Sequence, residues 1–224
     1  MSLLLLAVAP VTIVILYIYF KDKFEKEPIK FLLKNVLLGA TASVLITFIL
    51  SVVLNLIHPL DNEKSVLQMF IKAFFVVALV EEFSKFIIVK FYAQKNKEFN
   101  EPFDGIVYAV MVSMGFALLE NILYVFKYGA GVGVVRAFTA VPAHATFGIL
   151  MGYYMGKAKF SKNKFQLNLL GLLAATIFHG AYDFFLFINF IPGMLTGAIL
   201  SLLTGIVLAR KAIIKHQNSS VFKV

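Results

Sequence analysis

Two glutamates and a lysine, Glu81, Glu82 and Lys85, interrupt an apolar run that extends from Val76 to Val89. Further apolar segments downstream carry Glu120, His144, His179 and Asp183. Carboxylates, imidazoles and an ammonium are the groups that activate water, move protons and steady developing charge. They are also expensive in lipid: one ionisable side chain near the bilayer centre costs about 3 kcal/mol even on the gentler scales. A chain keeps several only if they face a protein-lined cavity and meet partners there. On a helix Lys85 lies three residues from Glu82 and four from Glu81, so it sits between them, one turn on. A shared ammonium at that position holds one carboxylate ionised while burial and like-charge repulsion push the other toward protonation. His179 and Asp183 are spaced i, i+4 and share a helix face, so the aspartate can orient the imidazole.

Blander readings exist for each group. The Glu81/Glu82/Lys85 cluster could be a salt bridge whose lysine snorkels to the interface. Glu120 could be a protonated structural donor, and a lone His144 a packed and satisfied core histidine. His58, Asp61, Glu63 and His216 read as solvated loop or tail residues, and Asp104 as a helix N-cap. What the bland readings do not explain is the coincidence of depth. At about 1.5 Å per residue, Glu81 and Glu82 fall roughly 12–14 Å from the inner ends of their span, His144 about 18 Å, His179 about 20 Å and Glu120 about 22 Å. Four helices thus deliver ionisable groups to one layer.

The elements that position them follow from composition. Of 224 residues, 60% are hydrophobic and 15% charged, and the mean hydropathy is +0.87. The apolar residues fall in blocks long enough to cross a hydrocarbon core of about 30 Å. Continuous runs, not alternating ones, predict helices and exclude a β-barrel. We read an all-α polytopic bundle of about seven spans, near 2–20, 31–57, 66–89, 105–126, 136–156, 166–190 and 192–209, forming one integral-membrane domain over 1–224. The connections are too short to fold as soluble domains. The first span has its charges after the apolar run, so it predicts an anchor and not a cleavable signal.

The net charge of +9 is distributed as topology. Lys21, Lys23, Lys26, Lys30 and Lys34 flank the first connection; Lys85, Lys90, Lys95 and Lys97 the third; Lys157, Lys159, Lys162 and Lys164 the fifth; Arg210, Lys211, Lys215 and Lys223 follow the last span. Only Lys64, Lys72, Lys127 and Arg136 remain for the other connections. The positive-inside rule then predicts an outer N-terminus and an inner C-terminus. The basic excess implies contact with anionic lipid, not a nucleic-acid groove. Small residues at four-residue spacing, Gly39/Ser43/Thr47/Ser51/Asn55, Gly148/Gly152/Gly156, Gly171/Ala175 and Gly193/Gly197/Ser201/Gly205, mark helix-packing faces. Two of these stripes run on into His144 and into His179 and Asp183.

The absence of cysteine excludes a thiol nucleophile and a thiolate metal site. No His-Glu-x-x-His is present for a site-2-type zinc protease. Tyr182-Asp183 supplies one half of a presenilin-type aspartyl pair, but no Gly-x-Gly-Asp supplies the other. A rhomboid-type Gly-x-Ser-x is absent too. What remains is Glu-Glu-x-x-Lys, Phe116-x-x-x-Glu120, His144 and His-x-x-x-Asp on four successive spans. That ordered set, about Val66 to Phe190, resembles the PrsW family of membrane proteases within the wider superfamily of glutamic-type CAAX-processing enzymes. In the CAAX branch the second motif ends in histidine and the fourth often in asparagine; Glu120 and Asp183 stand there here and point to the PrsW branch. The resemblance implies endoproteolysis of a membrane-anchored, single-span protein, such as an anti-sigma factor in regulated proteolysis.

From the residues themselves, a metal-independent mechanism is expected. One of Glu81 and Glu82 acts as general base on a trapped water. His144 and His179 position that water or donate to the oxyanion, Asp183 holds His179, Lys85 tunes the pair and Glu120 returns the proton. No cofactor is needed for this. Glu81, Glu82, His144 and His179 could alternatively ligate a zinc ion with one open position. A proton-coupled transporter would use the same inventory, although no inverted repeat is visible. A purely structural scaffold is the remaining alternative.

Overall fold

The computed structural model describes residues 2–57 and 60–223; His58 lies outside them. The described chain is all helix and connecting turn. We label the helices α1 (Leu3–Lys21), α2 (Ile29–Ile57), α3 (66–93), α4 (Pro102–Tyr128), α5 (Ala130–Phe138), α6 (Ala140–Lys159), α7 (Lys164–Phe187) and α8 (Leu195–Asn218). Among the described residues six stretches are long and apolar enough to cross a membrane: α1, α2, α4, α5 with α6, α7 and α8. The chain is a multi-pass integral membrane protein. Helix α3 is not among the six, because Lys72, Glu81, Glu82, Lys85 and Lys90 all fall inside it.

Helix α4 is the axis of the bundle. It is buried from Phe103 to Ala117 without interruption and packs against α1, α2, α3, α5, α6 and α8. The apolar face of α2 points the other way, with Leu33, Leu37, Phe48 and Leu56 exposed to what is lipid in the membrane. Close approach uses missing side chains. A Cβ at Gly115 would collide with the Val36 carbonyl of α2, at Gly39 with the Val112 carbonyl, and at Gly152 with the Gly105 carbonyl. The stripe on α6 thus packs on α4, as small-residue spacing predicts. On α2 only the Gly39 and Ser43 end of its stripe is buried, and Asn55 is exposed.

Several boundaries differ from the sequence reading, each for a local reason. The span expected at 136–156 is two helices. Pro142 lacks an N–H and its ring crowds the carbonyl four residues back, so a first turn suits it best. Helix α6 accordingly starts at Ala140, behind a kink at Thr139 (φ −124°, ψ −76°). Helix α5 precedes it, entered through Gly129 at φ 85°, a backbone state that glycine tolerates. The final helix runs to Asn218, so His216 is not a solvated tail residue: it is 1% exposed and stacks on Tyr153 with ring centroids 4.4 Å apart. Asp104 is not the N-cap of α4. Glu101 is, and Asp104 is the third residue of a capping box, accepting from the Asn100 and Glu101 amides at 2.7 and 2.8 Å. Asp61 and Glu63 are exposed, in keeping with their reading as loop residues.

At the same end of the bundle the α1–α2 connection is anchored by carboxyl groups. Burial pushes Glu27 up to about 10 and Asp22 up to about 6.

The backbone contacts of α4 generate a stability prediction. Gly115→Ala and Gly152→Ala each force two helices apart, an overpacking that typically costs about 1–3 kcal/mol. Both should melt well below the wild-type protein in detergent, whereas Gly131→Ala, where a Cβ meets nothing within 4 Å, should melt with it. Equal melting of all three would refute the close packing described here.

Candidate active site

Helices α3, α4, α6 and α7 bring every sequence-selected ionisable group to one place. Lys85 is at the centre. Its Nζ is 2.7 Å from Glu82 Oε1, 3.5 Å from Glu81 Oε2 and 3.2 Å from His144 Nδ1, and lies 4.3 Å above the Phe116 ring. The lysine does not snorkel; it is fully buried. An ammonium has three N–H donors; Glu82 and His144 take two of them in hydrogen bonds, and Glu81 Oε2 stands at ion-pair distance without one.

From this centre two arms extend. In the first, Glu82 Oε1 also meets His179 Nδ1 at 2.9 Å, and His179 Nε2 lies 3.3 Å from Asp183 Oδ2. An imidazole held between two carboxylates donates to both when it carries its second proton. The His179 ring stacks on Phe147 at 4.7 Å and 16°, which fixes its plane. In the second arm, His144 Nε2 is 2.8 Å from Glu120 Oε2. With Lys85 donating to Nδ1, the proton of a neutral His144 belongs on Nε2, facing Glu120.

Glu120 has a further partner that the sequence reading treated only as a charge in a connection. Arg136 Nη2 donates to Glu120 Oε2 at 3.0 Å and Arg136 Nε to Asn121 Oδ1 at 2.8 Å, while the guanidinium lies 4.2 Å over the Tyr124 ring. Asn121 in turn donates to the Ala7 carbonyl of α1 at 2.8 Å. Arg136 stands on α5, and the kink at Thr139 aims it at the group. Its signal in the sequence was an arginine inside the apolar stretch from Val132 to Ala145. Ser84 is a second such residue: its hydroxyl bonds Ser43 at 2.7 Å and Thr47 at 2.8 Å, tying α3 to α2 behind the cluster.

A cavity of about 630 Å³ opens on the constellation. Glu81, Glu120, Arg136, His144, His179 and Asp183 line it; Glu82 and Lys85 do not. The walls come from the start of α3, the end of α4, the α5–α6 junction and the end of α7. The cavity therefore extends toward the bundle end opposite the lysine-rich connections. The two glutamates differ sharply: Glu82 is 0% exposed and enclosed, whereas the Glu81 side chain keeps 13% exposure at the cavity wall.

A model of the family described as "PrsW family intramembrane metalloprotease" matches residues 27–210. The chain is 41% identical over 186 residues to the Protease PrsW of Geobacillus kaustophilus (strain HTA426), covering 83% of this chain and 80% of that protein. It is 36% identical over 181 residues to the Protease PrsW of Bacillus subtilis (strain 168), covering 80% of each. The chain belongs to the PrsW family of intramembrane proteases. Membership makes it a membrane-embedded peptidase with a membrane protein as substrate. No solved structure matches the chain.

The PrsW family description implies a metal, and the donor set can be tested for one. Ligand atoms of Glu81, Glu82 and His144 lie within 4.8 Å of one another, while His179 is not part of that group. Glu81 Oε2 and Glu82 Oε2 are buried without hydrogen-bond partners. Zinc sits about 2.0–2.2 Å from such donors. Lys85 Nζ already stands among these three side chains at 2.7, 3.5 and 3.2 Å. Ammonium and divalent ion compete for one position, so these residues fit a metal only with Lys85 turned away.

The two-carboxylate setting of His179 leads to a mutational prediction. His179→Ala should lower cleavage by about 100-fold or more, the scale of a positioned proton-transfer group. Asp183→Asn should reproduce much of that loss, and the double variant should be little worse than His179→Ala alone, since residues acting as one unit are non-additive. Asp183→Asn with His144→Ala should be worse than either. Simple additivity of Asp183→Asn and His179→Ala in kcat would assign Asp183 to packing.

Proposed function

We propose that the chain is an intramembrane endopeptidase that hydrolyses a membrane-anchored, single-span protein of the anti-sigma-factor kind, with Glu81 activating the attacking water. The carrying observation is the asymmetry of the glutamate pair. Glu81 lines the cavity, whereas Glu82 is closed in by Lys85 and His179. Water reaches Glu81, and a general base must lie within hydrogen-bond reach of the proton it takes. In this reading Glu82 is the fixed anion that holds Lys85 and His179. Lys85 is the built-in cation of the site and makes a metal unnecessary.

Both nitrogens of His144 are engaged, by Lys85 and Glu120, so we assign it a positioning role. Donors to the developing oxyanion come instead from His179 Nε2, whose 3.3 Å contact with Asp183 is its longer one, and from Arg136. A guanidinium has five N–H groups, of which two are engaged here. Glu120 accepts from Arg136 and His144 and stays an anion at the cavity wall, and the proton that Glu81 took from the water passes from Glu81 to the leaving amine. The catalytic unit is the segment of about 66–190 within a single domain, with α1, α2 and α8 supporting it.

The reading is tested with purified protein in vesicles, single-span candidate substrates and a strong chelator. Cleavage should survive prolonged chelation. Glu81→Gln should abolish it while leaving the melting temperature near wild type. Glu82→Gln should abolish it and also destabilise, because breaking one side of a buried ion pair costs about 3–5 kcal/mol. Activity lost to chelator and restored by zinc would make Glu81, Glu82 and His144 ligands and overturn the mechanism.

We further propose that α3 crosses the membrane as a seventh span, with the N-terminus outside and the C-terminus inside. The lysine asymmetry supports it. Single cysteines at Asn62 and Gly131 should react with an impermeant thiol reagent from outside, and those at Lys97 and Lys162 should not. The chain's lack of cysteine keeps the assay clean. Reversed labelling would invert the map.

A further inference from the structure

We propose that Lys72 forms a substrate subsite that takes an acidic side chain about four residues from the scissile peptide bond. The inference rests on the protease reading with Glu81 as base.

Two cavities share a wall. The cavity at Glu81 includes Lys72, Leu186 and Phe187. A second, of about 360 Å³, is lined by the same three residues and continues to Lys64 and Glu63 on one side and Asn189 and Phe190 on the other. Meeting at Lys72, Leu186 and Phe187, they run from Glu81 to the α2–α3 and α7–α8 connections.

Helix geometry makes the presence of Lys72 in this groove informative. Glu81 is nine residues further along α3, two and a half turns of a regular α-helix, which would put the two side chains on opposite faces. They share a face because Lys72–Ala78 is a π-helical stretch. Its i→i+5 bonding underwinds the helix, a distortion frequent at functional sites. Lys72, Val77 and Glu81 consequently line the same cavity.

The charges facing the groove single out Lys72. Glu120 is paired with Arg136 and His144, and Asp183 with His179. At the outer end Glu63 and Lys64 are both exposed and of opposite sign. Among the described residues Lys72 forms no ion pair; its ammonium lies over the Phe187 ring at 5.7 Å. A half-buried cation that has no ion-pair partner is completed by an incoming carboxylate.

Spacing sets the position. At the α-helical rise of about 1.5 Å per residue nine residues span at most about 13.5 Å, and the underwound stretch shortens that. A scissile peptide must be freed from helical hydrogen bonding before water can attack it, so the substrate in the groove is extended. At about 3.3 Å per residue, four residues cover the distance.

The test uses the full-length enzyme in vesicles and a library of single-span proteins whose juxtamembrane segment on the α2–α3 connection side is randomised. Sequencing the new termini gives the residue preference around each cut. Asp and Glu should be enriched about fivefold or more at one position roughly four residues from the cut, the effect of a modest ion pair. Lys72→Glu should move the preference at that position to Lys and Arg; Lys72→Ala should flatten it and serves if the charge reversal fails to fold. Cuts by the wild-type enzyme with the same preference in the Lys72 variants overturn the subsite alone. No cut by the wild-type enzyme overturns the protease reading, and the subsite with it.

Discussion

Burying the Lys85 ammonium is the constraint from which the site follows. A charge removed from water and left uncompensated in a protein interior is strongly destabilising, so its neighbours are not optional. Lys85 receives a carboxylate at 2.7 Å, a second at 3.5 Å, an imidazole nitrogen at 3.2 Å and an aromatic face at 4.3 Å. Those partners stand on three helices. Satisfying one ammonium therefore fixes the rotation of α3, α4 and α6 about each other. It also fixes His144 in one tautomer, which in turn requires an acceptor at Nε2, and Glu120 is that acceptor. Glu82 Oε1, which accepts from Lys85, also draws His179 from α7. Charge compensation thus propagates outward until it reaches Arg136 at one end and Asp183 at the other.

Such a network tolerates little play, and the scaffold supplies rigidity through backbone contact. Glycines at 39, 105, 115 and 152 bring α2, α4 and α6 to distances at which a methyl group has no room. Van der Waals packing of this kind is what holds helices together where lipid offers no hydrophobic incentive. The polar pins are placed behind the cluster instead of within it: Ser43, Thr47 and Ser84 tie α2 to α3, and Asn121 ties α4 to α1. Two of the irregular backbone stretches change what faces the cavity. The kink at Thr139 presents Arg136, and the π-helical stretch from Lys72 to Ala78 turns Lys72 toward Glu81.

The parts legible in the sequence were those whose chemistry is anomalous for their surroundings. Glu81, Glu82, Lys85, Glu120, His144, His179 and Asp183 announce themselves because ionisable groups do not belong in apolar helices, and helical spacing pairs Lys85 with the glutamates and Asp183 with His179. The crossing of α4 and α6 is legible in the stripe from Gly148 to Gly156. What escaped was information carried by local backbone form. Pro142 marks a helix start only once one knows that residue 139 is kinked. Arg136 was then masked by its place near a connection, where a basic residue looks like topology. His216 looked like tail because it follows Lys211 and Lys215, yet an unbroken helix carries it back onto Tyr153. No pattern in the sequence separates Glu81 from Glu82, since the difference is which of two adjacent side chains faces the cavity.

That last difference bears on the tension between the family's description and this chain's own residues. A metalloprotease activates water by binding it to a cation, and the protein's carboxylates are then spent as ligands. Here a cation is already present, covalently part of the chain, and it stands where the donors of Glu81, Glu82 and His144 converge. An ammonium cannot bind and acidify water as zinc does, because it has no vacant orbital. It can hold one carboxylate rigid and leave its neighbour free to accept a proton. In the mechanism we propose, that is the division of labour: Glu82 is spent on the cation, and Glu81 is not. The general base is then the carboxylate that the ammonium holds less tightly, at 3.5 Å against 2.7 Å, and of the two it is the one that lines the cavity.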